Sequence, residues 1–227
     1  SDQCVEVFHG AIHYQELVCL KSENLDGILG SCLKDTEREY TGEQIIDFAG
    51  MFANIIDYKS RFTRNHSLGI AEKAAHMARY YGYKEELVAE MFLTGAVHDI
   101  GKLVIDKDIL EKPDKLTDRE YKQIQNHAYY TYEILRKIKG FEEITKWASH
   151  HHEKLNGKGY PFGKTADELG FNERLMACLD IYQALTEKRP YKEGFSHERS
   201  MSILRKLVKD GSLDGSIVED IEKVYGN

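Results

Sequence analysis

Residues 149–161 read SHHHEKLNGKGYP. Three consecutive histidines, a glutamate and a Gly-x-Gly-Tyr-Pro turn follow an apolar series made by Phe141, Ile144 and Ala148. At about 100° per residue, a helix over 141–152 gathers those apolar side chains on one face. His151 and His152 straddle that face. His150 lies about 160° from Ala148 and is expected to point outward. The glycines permit positive φ and Pro161 fixes the backbone that follows, which suits a sharp helix exit. Beside a ligand site the same turn would also present Lys158 or Tyr160.

The helical period extends outward from this stretch along most of the chain. From Gln44 to about Arg61, Ile45, Phe48, Phe52 and Ile55 recur at helical spacing. From Asn65 to Tyr81 one face carries His66, Ile70, Ala74, Met77 and Tyr81. Lys84 to Val97 runs into HDIGK at 98–102. Thr117 and Glu120 form a capping box, with Ile124, Ala128, Thr131, Leu135 and Ile138 inward and Gly140 as the stop. Asn172 to about Glu187 is the next helix. Ser196 caps another, carrying Ile203, Leu204, Leu207 and Val208, and Ser216 with Glu219 opens a last one through Ile221 and Tyr225. No strand-like alternation, internal repeat or low-complexity run interrupts them. The expected fold is all-α, a helical bundle. Its boundary is placed near Thr41, so that 1–40 is an N-terminal extension or the tail of an upstream domain and 41–227 the bundle.

Composition agrees with a soluble globular chain: 227 residues, 41% hydrophobic and 30% charged. A net charge of −7 argues against a nucleic-acid polymer as partner. It does not exclude a small anionic ligand, because bound metal ions reverse the local field. No apolar run approaches the roughly 20 residues of a membrane span. The first residues, SDQCVEVFHG, have no signal-peptide pattern. A start at Ser1 without methionine leads to the expectation of a segment from a longer protein. Cys4, Cys19, Cys32 and Cys178 form no CxxC pair, which fits a reducing cytoplasm.

Helical phase selects a set of inward polar residues. His127 lies three residues after Ile124, Asp180 three after Ala177, and His66 shares its face with Ile70 and Ala74. His98 and Asp99 end a helix beside Gly101. With His151 and His152 this makes His66, His98, Asp99, His127, His151, His152 and Asp180. Burying such groups unpartnered costs several kcal/mol each, so a bound cation is the simplest compensation. Mixed imidazole and carboxylate donors suit iron or manganese, and also zinc or nickel. Seven ligands exceed one tetrahedral site. Two metals about 3.5–4 Å apart, bridged by a carboxylate such as Asp99, are a standard arrangement for phosphoester hydrolysis.

These residues resemble a known family. HS at 66–67, HDIGK at 98–102, His127, HHEKLNGKGYP at 151–161 and RLMACLDIYQALTEKRPYK at 174–192 look like the HD-GYP subgroup of the HD phosphohydrolase superfamily. The resemblance covers about Glu43 to Tyr225. It implies an all-helical bacterial phosphodiesterase that hydrolyses cyclic di-GMP to pGpG, and often on to GMP, with a two- or three-metal centre rich in iron or manganese. It implies the same seven residues as ligands, Asp99 as the bridge, a metal-activated hydroxide as nucleophile, and Lys102 on a substrate phosphate. Lys158, Tyr160 and Arg189 are the further substrate-binding candidates. Family members often join regulatory domains and homodimerise through N-terminal helices.

Two positions depart from the pattern. Phe62 stands where members with a third metal carry glutamate, so two metals are expected. Asn156 replaces the usual aspartate before Gly157; it can still make turn-type bonds. Glu153 reads as a partner of the ligands or a loop anchor. The bases of the substrate are not fixed by any of these residues. Hydrolysis of a hybrid cyclic GMP-AMP or of a nucleotide, and non-hydrolytic sensing of cyclic di-GMP, are the alternatives.

Overall fold

The computed structural model describes residues 40–59, 65–188 and 193–226. Most of the N-terminal segment 1–40, Phe62 and the candidate Arg189 lie outside the described residues. The described chain forms α1 (Gly42–Lys59), α2 (His66–Tyr80), α3 (Glu85–Val97), a 3-10 turn (Ile100–Val104), the short α4 (Lys107–Leu110), α5 (Asp118–Leu135), α6 (Glu142–Ser149), α7 (Phe171–Thr186), α8 (His197–Lys209) and α9 (Gly215–Tyr225). Among the described residues there is no strand, only an isolated antiparallel bridge between Asn156 and Thr165.

Local chemistry sets several of these boundaries. The Thr117 hydroxyl accepts the Glu120 amide at 3.3 Å, and the Glu120 carboxylate takes back the Thr117 amide at 2.8 Å. Ser196 caps α8 through the Arg199 amide. The helices close around one apolar core that includes Ile70, Met77, Met91, Leu135, Leu175, Leu179, Leu204 and Ile221. Each such side chain removed from water contributes about 1.5–3 kcal/mol. The helix α2 packs on α3, α1 lies against α3, and α5 crosses the 3-10 turn.

Four sequence expectations are corrected. The face of α1 that is buried is Ala49, Ala53, Ile56 and Asp57, whereas Phe48, Phe52 and Ile55 are exposed. Small side chains let α1 lie close to its neighbours, and the bulkier stripe is left outside. The helix α5 stops at Leu135, and Ile138 is exposed in the turn that ends at Gly140, φ +88°. The cap of α9 is Asp214, which accepts the Ser216 amide and hydroxyl, so the helix begins before the predicted Ser216. Finally, α6 ends at Ser149, so helical phase does not extend to His150. His150 is 5% exposed and buried against Glu173 instead of pointing to solvent.

Candidate metal centre

Seven side chains meet where α2, α5 and α7 face the ends of α3 and α6. Three overlapping groups bring donor atoms within 4.8 Å of one another: His66, His98 and Asp180; His98, Asp99 and His151; His127, His151 and His152. Every predicted metal-ligating residue belongs to at least one group. His66, His98, Asp99, His127, His151 and Asp180 are buried, and His152 is partly open.

Hydrogen bonds aim the imidazoles. The Nδ1 of His98 lies 2.7 Å from the Gly95 carbonyl, that of His127 2.6 Å from the Ile124 carbonyl, and that of His151 2.5 Å from the Ala148 carbonyl. A carbonyl only accepts, so each Nδ1 carries the proton, and in the neutral ring the Nε2 lone pair is free to bind a cation. Gly95 and Ala148 lie in the last turns of α3 and α6, where helix carbonyls lack helical partners. The negative ends of both helix dipoles therefore point at the cluster, which favours a cation there. His66 is held differently: its Nδ1 sits 2.9 Å from Glu187 and its Nε2 3.3 Å from Asp180. His152 alone turns Nδ1 inward, 3.6 Å from Asp180.

Asp99 faces both halves of the cluster. Its Oδ1 is 3.2 Å from His127 Nε2 and 3.9 Å from His151 Nε2. Its Oδ2 is 3.2 Å from His98 Nε2 and pairs with Lys102 Nζ. Close approach is not bonding, however. The buried His98 Nε2 and Asp99 Oδ1 have no partner with hydrogen-bond geometry. Two buried donor atoms aimed into a shared space, amid imidazoles and carboxylates, fit a metal ion.

The electrostatics point the same way. Burial opposes ionisation of Asp99, but Lys102 and His98 outweigh it and hold the carboxyl well below the usual range. Asp180 is likewise held low against burial, chiefly by His66 and His152. Burial and the neighbouring His152 and His98 push His151 well below the ordinary histidine range. Burial takes His152 down to about 3 despite Asp180. Asp99 and Asp180 are thus ionised and His151 and His152 deprotonated at neutral pH, the forms that bind metal. His66 is the exception: burial opposes its protonation, yet Asp180 and Glu187 lift it to about 9.

The loop after His152 is built to pass close. Buried Glu153 accepts the amides of Phe162 (2.7 Å), Gly163 (3.2 Å) and Lys164 (3.0 Å), so it is a loop anchor. A Cβ on Gly159 would lie 2.4 Å from Glu153 Cα, and Gly157 has φ +72°. This brings the Tyr160 ring 4.7 Å from His152 and 6.4 Å from His127. Burial, then Asp180, keep the Tyr160 phenol protonated by raising it above its usual range. Lys158 is exposed and shares with Lys154 the neighbourhood of Asp210. Asn156 makes the expected turn bond, accepting the Lys158 amide at 3.1 Å.

Sequence reasoning missed two supporting residues. Glu187 holds His66 from the far end of α7. Asp57 on α1 accepts both the Ser67 amide and its hydroxyl, the latter at 2.7 Å, and so caps α2 beside His66. The serine of HS was the available signal, since a hydroxyl in a first helical turn commonly takes part in a cap.

The sequence pattern of the HD domain family matches residues 50–217, and the chain belongs to that family. It is 39% identical, over 82% of its length and 43% of the relative's, to the 3'3'-cGAMP-specific phosphodiesterase 1 of Vibrio cholerae. It is 32% identical to a cyclic di-GMP phosphodiesterase of Pseudomonas aeruginosa, over 73% of this chain and 40% of that one. The chain thus spans less than half the length of these curated relatives. The solved structure of an HDG"Y"P protein from Bdellovibrio bacteriovorus has the same fold, with a TM-score of 0.60 and 16% identity over 82% of this chain and 65% of that one. The all-helical HD-type expectation stands. No helix among the described residues is long and apolar enough to cross a membrane.

Proposed function

We propose that this chain is a metal-dependent phosphodiesterase for cyclic dinucleotides, cyclic di-GMP or a hybrid cyclic GMP-AMP. The observation that carries the reading is Asp99, whose two oxygens face two groups of imidazoles, with His98 Nε2 and Asp99 Oδ1 left without hydrogen bonds. Two metal ions are proposed. His66, His98, Asp99 and Asp180 would hold one, and Asp99, His127, His151 and His152 the other, with iron or manganese as the occupants. When bound, such a pair supplies Lewis-acid stabilisation of phosphate charge and a water acidic enough to act as nucleophile at neutral pH.

The chain's own residues do the rest. Lys102, partly exposed and adjacent to Asp99, provides a point charge for a phosphoryl oxygen. Tyr160 keeps its proton and offers a hydrogen bond beside His152. Glu187 and the carbonyls of Gly95, Ile124 and Ala148 hold the imidazole orientations, so no reorganisation is needed on substrate binding. Products are pGpG or its hybrid counterpart, and GMP on a second cut. A cytoplasmic setting, consistent with the buried free thiol of Cys178, a regulatory domain in cis and a homodimer complete the proposal.

The relative named for 3'3'-cGAMP gives the hybrid dinucleotide equal standing with cyclic di-GMP. Parallel turnover assays on anaerobically purified protein, with elemental analysis of the same sample, test both. Asp99→Ala is expected to abolish hydrolysis and release metal. Turnover retained by that variant would overturn the mechanism, and binding of either dinucleotide without product would leave a sensor in its place.

A further inference from the structure

The segments that bring His152 to Asp180 are joined a second time, outside the cluster. His150 Nδ1 lies 2.6 Å from Glu173 Oε1, and both residues are buried. Glu173 stands in the first turn of α7, and its other oxygen takes the Gly170 amide. It precedes Asp180 by seven residues, close to two helical turns, so both carboxylates leave α7 on the same face. The contacts are two rungs of one ladder, His150–Glu173 outside the cluster and His152–Asp180 at 3.6 Å within it. The Phe162 ring meets His150 edge-on at 5.5 Å. The His150 amide donates to the Lys146 carbonyl at 3.0 Å, and its own carbonyl accepts the Glu153 amide at 2.8 Å. Neither His150 nor Glu173 belongs to a donor group of the cluster.

We infer that His150 is a positioning residue, whose contact with Glu173 sets where His151 and His152 stand relative to Asp180. The inference rests on reading the cluster as a metal centre. Residues 150–152 lie past the end of α6. Backbone bonds at His150 and His152 hold the turn locally, and the His150–Glu173 hydrogen bond ties it to the helix carrying Asp180. Partners that orient ligands are typically worth 10–100-fold in metal affinity. A histidine that merely filled space would be replaceable by a leucine.

The test titrates Co²⁺ into the metal-free full chain against a competing chelator and records the visible spectrum, which reports coordination geometry. His150→Leu is expected to weaken Co²⁺ binding by about tenfold and to alter the spectrum. His150→Asn, whose amide nitrogen replaces Nδ1, is expected to restore most of both. Affinity and spectrum unchanged in the leucine variant, or an asparagine variant no better than leucine, overturn the inference. Should His150→Leu not fold, Glu173→Ala, which removes the acceptor, carries the test: about tenfold weaker binding supports the clamp, and unchanged binding overturns it. Absence of Co²⁺ binding by the unsubstituted chain would instead overturn the metal-centre reading, and the clamp with it.

Discussion

Asn156 uses both ends of its amide. Its Oδ1 accepts the Lys158 amide at 3.1 Å, while Nδ2 donates to the Asp210 carbonyl at 3.2 Å and to the Ser212 hydroxyl at 3.3 Å. An aspartate, the usual residue of the resembled pattern, could keep the first bond but not the Asp210 one, and would set a carboxylate against that carbonyl. Asn156→Asp is therefore expected to cost about 1–2 kcal/mol, seen as a melting point lower by about 2–8 °C. An equal or higher melting point would show that the amide donor contributes nothing. His66, His127 and Asp180 could be read from sequence because each lies on a helix whose apolar period shows which way is inward. His98, Asp99, His151 and His152 lie just past helix ends and were legible through the HDIGK and HHE…GYP patterns, whereas carrying helical phase past Ser149 misreads His150, and its partner Glu173 is 23 residues away.

Between elements, the decisive approach is that of the 3-10 turn to α5. A Cβ on Gly101 would lie 2.0 Å from the His127 carbonyl oxygen and 2.6 Å from the Thr131 nitrogen, both backbone atoms that cannot swing aside. Thr131 fastens the contact, donating to the His98 carbonyl at 3.0 Å and accepting the Gly101 amide at 3.1 Å. This explains the glycine of HDIGK: it lets the helix bearing His127 come within reach of Asp99. Gly101→Ala is expected to lose about 1–3 kcal/mol of stability and, by moving His127 from Asp99, to lower the metal content found by elemental analysis. Normal metal content in a folded variant would show that α5 tolerates the shift. The start of α5 offers a pH signature. Glu120, joined to Lys112 and to the Thr117 amide and hydroxyl, is held at about 2, below its ordinary 4.5. Its folded-state value is depressed, so its stabilising contribution is present above pH 4.5 and fades as pH falls toward 2. The melting-point difference between the unsubstituted chain and Glu120→Gln should be constant above that window and shrink within it. A difference independent of pH would rule out the charge as its source. The capping box behind this behaviour was visible in the sequence, being local; the Lys112 partner was not, because it lies before the helix.

At the scale of the whole molecule, the helices enclose an apolar core and also converge on a polar one, and these two facts pull in opposite directions. The apolar core alone stabilises the fold. The polar cluster keeps buried carboxylates and imidazoles together with His98 Nε2 and Asp99 Oδ1 unpartnered, a cost that a bound cation would offset. That imbalance is why the site was legible in the sequence: inward polar residues on five segments have no ordinary packing role. The face that α1 buries was less legible, because apolar period alone does not tell a packed stripe from an exposed one, and Phe48 and Ile55 lie on the exposed side. The same imbalance predicts the response to metal removal. Cations that bind only the folded chain at a hundredfold excess over Kd stabilise it by about 2.7 kcal/mol per site, which for a chain of this size is about 5–11 °C in melting point. Chelation should lower the melting point by that order, and restoring the metal should recover it. Asp99→Ala, which removes the residue shared by both proposed sites, should melt at the same temperature with and without chelator. Protein shown by elemental analysis to carry metal, yet melting unchanged after its removal, would mean that the polar core balances its charges without a cation.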